Sequence, residues 1–380
     1  MNNRPNGVAI IGGGLAGLTA AYWIRRNTDL PITIFESGDR LGGRVSTNEH
    51  PAGEHGARYL LGSELKIRLK PQEFQNYGLP NGNSLGGLLK NDLKISFQKL
   101  NGNGWPHICF LQEGVPRPFH HSAPWIRQIC PGAALVFHQT GSSDLPATIS
   151  FETWLRRHLP LDRRSRTLLD ALLLGEICAP WKNVSARYAM ECLDSLINPK
   201  ESWHCVRGGS EIITRKLLNN YSYTVRVSSP VKRVRRIQDA EITVSIRHGR
   251  TLRIESFQAV IVSCPDAHRL VAGLQSARSQ YHAYVSFLLS FTQRPSLIKF
   301  PSVDLIQGLY TDHPLINYLE AAKTQTGWTL RILAAHADGY LKLSKHALER
   351  RCLTVFRQLG LSSDYKALHI QRWKQGLACG

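Results

Sequence analysis

The sequence predicts an α/β protein in which a Rossmann-like dinucleotide-binding domain is interleaved with a second, α+β domain. Three observations predict it. Val8-Ala9-Ile10-Ile11 is an apolar run that stops at a glycine-rich turn, Ile32 to Phe35 is a second apolar run closed by Glu36, and later segments alternate between helical and period-two spacing.

The first run is continuous and partly β-branched, as expected of a parallel strand buried on both faces. In Gly12-Gly13-Gly14-Leu15-Ala16-Gly17, Gly12 lets the chain turn tightly and Gly14 removes the side chain that would hold a pyrophosphate off the backbone. Gly17 lets the following helix pack against the strand. That helix opens at Leu15 and Ala16, whose amides lack intrahelical partners and, with the helix dipole, suit a diphosphate. Glu36, about 20 residues on, is placed to accept hydrogen bonds from both hydroxyls of a ribose.

Glu36-Ser37-Gly38-Asp39-Arg40-Leu41-Gly42-Gly43-Arg44 resembles the ExxxRxGGR element of the flavin-dependent amine oxidase, protoporphyrinogen oxidase and phytoene desaturase superfamily. The resemblance implies an amine-oxidase-like fold and FAD as cofactor. Ser37 and the glycines Gly42 and Gly43 would then approach FAD, and Arg40 and Arg44 would supply cationic donors for phosphate oxygens. Gly53-Glu54-His55-Gly56-Ala57-Arg58-Tyr59-Leu60 is similar to the segment that passes along the flavin ring. That adds Gly56 and Ala57 to the cofactor contacts, with His55 and Arg58 as catalytic candidates. Trp203 to Leu218 resembles the segment that returns the chain to the FAD domain, with Ser210 capping its helix, and Val231 falls where relatives clamp the adenine. Ala259 to Pro265 reads as another buried parallel strand. The implied domains are 1–60 plus 203–268 for FAD and 61–202 plus 269–380 for substrate.

The intervening segments carry less chemistry. Residues 61–149 are broken by prolines and Asn-Gly pairs and read as insertion outside the core sheet, with Val115 to Phe119 as a short strand or a ligand-facing loop. His120-His121 would point to opposite faces of a strand, and no carboxylate spacing completes a metal site, so no metal is expected. Helices are predicted from Ser150, capping Phe151 to Leu159 and ended by Pro160, from Ser165 to Cys178, and from Ser185. Glu241 to Ile246 and Leu252 to Ile254 read as a hairpin, Tyr284 to Phe291 and Thr329 to Ala334 as strands, and His346 to Leu359 as an amphipathic helix.

Two departures from the family shape the functional expectation. Amine oxidases commonly carry a lysine in the strand matching Tyr284 to Phe291, and none is present, which favours a desaturase-like or protoporphyrinogen-oxidase-like reading. The chain also ends at Gly380, soon after Ile370-Gln371-Arg372-Trp373, where family members continue into a final flavin-contacting stretch. Truncation, a second subunit that completes the flavin site, and weak FAD binding are the competing explanations. Trp373 is the third catalytic candidate. The expected activity is hydride removal from a small or lipophilic organic substrate, by desaturation or amine-type oxidation. The alternative is a flavoprotein-like subunit that turns over only with a partner chain. An NAD-dependent dehydrogenase would leave Arg40 to Arg44 unexplained.

Composition fits a globular protein, with 42% hydrophobic and 20% charged residues in 380. The eight cysteines show no metal or CxxC spacing and read as free thiols of a reducing compartment. With the first strand so close to Met1 there is no room for a secretory leader, and a cytoplasmic location is expected. The net charge of +19, from 47 basic and 28 acidic residues, allows a peripheral contact with an anionic membrane surface. No nucleic-acid-binding signature accompanies it, and nucleic acid is not an expected partner.

Overall fold

β1 (Val8–Ile11) is buried at all four positions, as a strand covered on both faces must be, and α1 (Leu15–Asn27) carries the chain from it to β2 (Ile32–Phe35). The computed structural model describes residues 7–49, 52–55, 59–61, 85–99, 107–112, 115–119, 131–138, 145, 148–159, 161–197, 203–238, 241–265, 267–272, 274, 280–298, 305, 308–335, 337–361 and 364–379.

Past β2 the chain makes a hairpin of β3 (Thr47–Glu49) and β4 (Ala52–Glu54), then the short strands β5 (Tyr59–Leu61) and β6 (Phe97–Lys99). β7 (His107–Gln112) and β8 (Val115–Phe119) follow. The helical block holds α2 (Pro131–His138), α3 (Phe151–His158), α4 (Arg163–Ile177) and α5 (Ala186–Ile197). β9 (Trp203–Val206) and α6 (Glu211–Asn219) lead to β10 (Thr224–Arg226), and β11 (Val231–Gln238), β12 (Glu241–His248) and β13 (Thr251–Phe257) form an antiparallel meander. β14 (Ala259–Val262) precedes β15 (Gln280–Phe291), β16 (Leu309–Thr311), β17 (Tyr318–Thr324) and β18 (Gly327–Ala334). The last elements are α7 (Lys345–Leu359) and β19 (Ala367–Cys379).

Two sheets position the site. The first is parallel, in the order β10-β2-β1-β14, so β1 is central and its carboxyl end faces the glycine turn. The second has seven strands in the order β19-β15-β18-β17-β16-β7-β8. Period-two alternation divides its residues cleanly. Val285, Phe287, Leu289, Leu330, Ile332 and Leu319 join a wholly apolar cluster with Leu348, Val355 and Phe356 of α7. The alternate positions, Tyr284, Ser286, Arg331, Glu320, Tyr310, His369 and Trp373, are aromatic, hydroxylic or ionisable. They form the opposite, polar face.

Several expectations change here. Residues 107–112 and 115–119 do not lie outside the sheet, since β7 pairs in parallel with β16 and β8 forms its edge. Pro116 and Pro118 are tolerated because an edge strand has one side without ladder hydrogen bonds. Ser210 makes no capping bond to α6; the Thr47 hydroxyl accepts from the Glu211 amide instead, at 3.1 Å. β14 is parallel to β1 as expected but lies at the sheet edge and is partly exposed. Ser150 does cap α3, accepting from the Thr153 amide, and Asp162 caps α4. His120, His121, Gly56, Ala57 and Arg58 lie outside the described residues.

Candidate dinucleotide and substrate site

The glycines of the first turn are required for different reasons. Gly12 has φ +107°, a left-handed value, and a β-carbon there would lie 2.8 Å from Ser263 Oγ. At Gly17 a β-carbon would lie 2.0 Å from the Gly12 carbonyl oxygen, so the close approach of α1 to the strand excludes any side chain. Gly14 is another case: with φ −77° and only the Gly43 α-carbon within 4 Å, at 3.9 Å, the protein itself would accept alanine. What a methyl group at Gly14 would enter is the open space in front of α1. That space has a polar lining suited to a phosphate, for α1 has no side-chain cap and no acid in its first turn, leaving the amides of Leu15, Ala16 and Gly17 turned to it.

The second glycine pair abuts this turn. The Gly42 amide donates to the Gly13 carbonyl at 2.8 Å, and Gly42 and Gly43 both have positive φ. Glu36 stands at the end of β2, its Oε2 accepting from the Gly13 amide at 2.8 Å and its Oε1 from the Gly38 amide at 2.7 Å and Ser37 Oγ at 3.2 Å. Each carboxylate oxygen has two lone pairs, so acceptor capacity remains for a ribose. The Ser229 and Ser228 amides donate to the carbonyls of Glu36 and Gly38, which brings the start of β11, and hence Val231, to the same end of the sheet. The buried Thr214 hydroxyl has no hydrogen-bond partner among the described residues and lies near Gly42. Arg40 is directed inward: its guanidinium donates to the carbonyls of Leu41, Gly43 and Val45, at 2.9 to 3.1 Å. Arg44 is exposed.

Arg40 also joins the cradle to the large sheet, its guanidinium lying 5.9 Å from the Trp373 ring centre. Trp373 stacks on Tyr284 at 5.6 Å and donates its indole N–H to Ser286 Oγ at 3.3 Å. Ser286 Oγ is 2.8 Å from His55 Nδ1, and His55 Nε2 is 2.6 Å from His369 Nδ1. The β3–β4 hairpin is what delivers His55. Gly53 sits against Leu288 and Thr329 of the polar face, where a β-carbon would lie 3.1 Å and 3.2 Å from their side chains. His55 is 1% exposed, and burial first, then His369, Arg331 and Arg40, lowers its pKa to about 3, so the ring is neutral. Of the three catalytic candidates, His55 and Trp373 thus share one hydrogen-bonded chain through Ser286.

Beyond Tyr284 the polar face meets α4. Gly175 lets the helix approach until a β-carbon there would lie 2.4 Å from the Tyr310 ring, and the Tyr310 hydroxyl donates to the Glu176 carboxylate. Burial raises the Glu176 pKa to about 7 against the opposing pull of Arg331, and it also raises the Tyr284 and Cys192 groups. Ser286, His369, Glu176, Tyr310 and Arg331 escaped the sequence reading. For Ser286, His369 and Arg331 the signal was a polar residue set between apolar neighbours on a strand; for Glu176 it was a lone acid in the apolar second half of α4. Among the described residues no group of three metal-ligating side chains occurs, and no helix is long and apolar enough to cross a membrane.

Cradle and polar face define the class: a chain that sets a Rossmann-like domain beside a larger mixed sheet, the fold it shares with solved oxidase structures. Residues 10–69 match the family model of an NAD(P)-binding Rossmann-like domain. The solved structure of a protein from Exiguobacterium sp. assigned as a protoporphyrinogen oxidase is similar with a TM-score of 0.70 and 20% identity, covering 100% of this chain and 88% of that one. Cyclohexylamine oxidase from Brevibacterium oxydans gives 0.68 at 14% identity, covering 99% and 89%. In sequence, coproporphyrinogen III oxidase of Mycobacterium tuberculosis is 40% identical over 70 residues, 18% of this chain, and the match spans 15% of that protein's length.

Proposed function

We propose that the chain is an FAD-dependent oxidoreductase that removes a hydride from a small or lipophilic organic substrate, by desaturation or amine-type oxidation. The observation that carries the reading is Gly14, a glycine that its own protein surroundings do not require, at the uncapped start of α1 and beside Gly43. FAD bound there would supply the electron-accepting ring.

The work of the protein is to bind, orient and exclude water. Gly12, Gly14 and Gly17 shape the turn, and the Leu15 and Ala16 amides would hold the diphosphate. Glu36 and Ser37 would bind the ribose, and Val231 would back the adenine. Gly42 and Gly43 keep the second approach free of side chains, Arg44 would add a cation toward phosphate oxygens, and Gly56 and Ala57 are assigned to the ring segment. Arg40 acts by fixing the loop and resting on Trp373. We assign 1–60 plus 203–268 to the FAD-binding part, supported by all four parallel strands arising there, and 61–202 plus 269–380 to the substrate part, which supplies the seven-stranded sheet. The substrate would be taken by the substrate part, on the side of the seven-stranded sheet that carries Tyr284 and Trp373, two rings held rigid by their packing against the helical block. His55 would hold Ser286, and through it Trp373, in place.

The test is the absorption spectrum of the purified chain with FAD added, followed by mass analysis of what heat releases. A flavin spectrum that substrate bleaches is expected. A protein that stays colourless in excess FAD, with no saturable quenching of flavin fluorescence, overturns the proposal.

A further inference from the structure

A cavity of about 420 Å³ lies beside the apolar cluster that α1 shares with Leu88, Leu89, Leu93 and Ile95, the last of which lines it. Lys90, Ile95, Phe97, Lys99, His204 and Arg207 line it. The cations come from three segments: Lys90 from the single π-helical turn Leu88–Asp92, Lys99 from β6, and Arg207 from the residue after β9. Local structure holds them together. Lys99 pairs directly with His204 across β6 and β9, and the Arg207 amide donates to the Ser96 carbonyl at 3.0 Å. Lys90 Nζ lies 5.7 Å from the Phe97 ring centre, and the His204 ring meets Phe97 edge-on at 6.5 Å.

No carboxylate neutralises this group among the described residues. Asp92, on the same turn as Lys90, is bound to Arg26 at 2.5 Å. Like charges gathered in a concavity raise one another's energy, and an anion relieves that repulsion. The floor is of opposite character: Ile95 is buried and Phe97 presents part of its ring. We propose that this cavity binds a phosphomonoester carried on an apolar or aromatic body. The phosphate has close to two negative charges near neutral pH, the Arg207 fork can take two of its oxygens, and the two lysines add point charges. The apolar body would lie against Phe97.

Titration of the full chain, kept saturated with FAD, by phenyl phosphate and by inorganic phosphate tests this, with calorimetry as the readout. Phenyl phosphate should bind saturably and about tenfold more tightly than inorganic phosphate, and Phe97→Ala should abolish that preference. Lys90→Ala/Arg207→Ala should weaken phenyl phosphate by about tenfold or more. Lys232→Ala/Arg235→Ala, which removes the same charge from the exposed face of β11, should leave it within about twofold of the parent. Co-sedimentation with phosphatidic acid vesicles against phosphatidylcholine vesicles separates a lipid headgroup from a soluble ester: retention that needs Lys90 and Arg207 assigns the headgroup, and phenyl phosphate binding without retention assigns the soluble ester. Absence of saturable binding by either probe, or equal losses in the two double variants, overturns the proposal.

Discussion

His55 Nε2 and His369 Nδ1 lie 2.6 Å apart, a hydrogen bond between two imidazoles that reaches from a hairpin next to the dinucleotide cradle to a strand of the large sheet. Burial lowers the pKa of both rings. Two neutral imidazoles can share one proton as donor and acceptor, whereas a charged His55 would face Arg331 and Arg40 without solvent.

The stability of the protein should therefore depend on acid in a way traceable to His55. Its folded pKa, about 3, lies below its ordinary 6.5, so the unfolded chain takes up a proton that the native one refuses. Stability from this source is complete above pH 6.5 and falls as the pH drops toward 3, by at most about 1.4 kcal/mol per pH unit. Urea midpoints of the parent and His55→Gln between pH 7.5 and 4.5 check it. The variant should show the shallower loss on acidification, and parallel curves would reject the assignment.

Ser286 is the member of the chain that serves both sides. It is 0% exposed, accepts from the Trp373 indole and bonds to His55 Nδ1. Ser286→Ala leaves two buried polar groups without their partner, at a cost of about 1 to 3 kcal/mol. A urea midpoint equal to that of the parent would show that water or another side chain takes over.

The first sheet was legible because its signals are local. Four apolar residues, a glycine turn and an acid at the end of the next strand lie within a short stretch, and each has one structural meaning. The polar face was not legible, since it is a relation between strands distant in sequence. Ser286 and Arg331 look like interruptions of apolar strands until the register sets Ser286 opposite Leu333, and Leu288 opposite Arg331, on a shared face. Val115–Phe119 was left open between a short strand and a ligand-facing loop by its prolines, which argue against a strand only where both sides need ladder bonds. Ser210 has the right residue type for a cap, but the neighbouring Thr47 took that role through a contact 164 residues away.

The glycine turn gives a prediction that separates folding from cofactor binding. A methyl group at Gly17 would strike the Gly12 carbonyl at 2.0 Å, whereas at Gly14 it would meet nothing of the protein nearer than 3.9 Å. Gly17→Ala should lower the melting temperature of the cofactor-free protein. Gly14→Ala should melt as the parent does, yet bind FAD at least about tenfold more weakly because the methyl enters the space assigned to the diphosphate. Fluorescence titration with FAD and thermal melts of the apoprotein measure the two effects. Unchanged FAD affinity in Gly14→Ala would mean that the cofactor does not approach α1 there.

Glu176 carries the opposite pH dependence to His55. Burial raises its pKa from 4.5 to about 7, so the native protein retains a proton that the unfolded chain releases, and between those values its contribution to stability falls as the pH rises. The groups that face it are the Tyr310 hydroxyl from β16, which donates to it, Arg331 from β18, which draws the pKa down, and the Cys192 thiol from α5, itself pushed up by burial. Glu176→Gln imitates the protonated carboxyl and still accepts from Tyr310. Because desolvation outweighs attraction to Arg331, the variant should exceed the parent in melting temperature at pH 8, and the gap should close on acidification to pH 4.5. The competing effect has a distinct signature: should the ion attraction dominate, Glu176→Gln would be the less stable protein at pH 8 and would approach the parent only in acid. A melt series across that range decides between a carboxyl kept neutral by burial and one kept charged by Arg331.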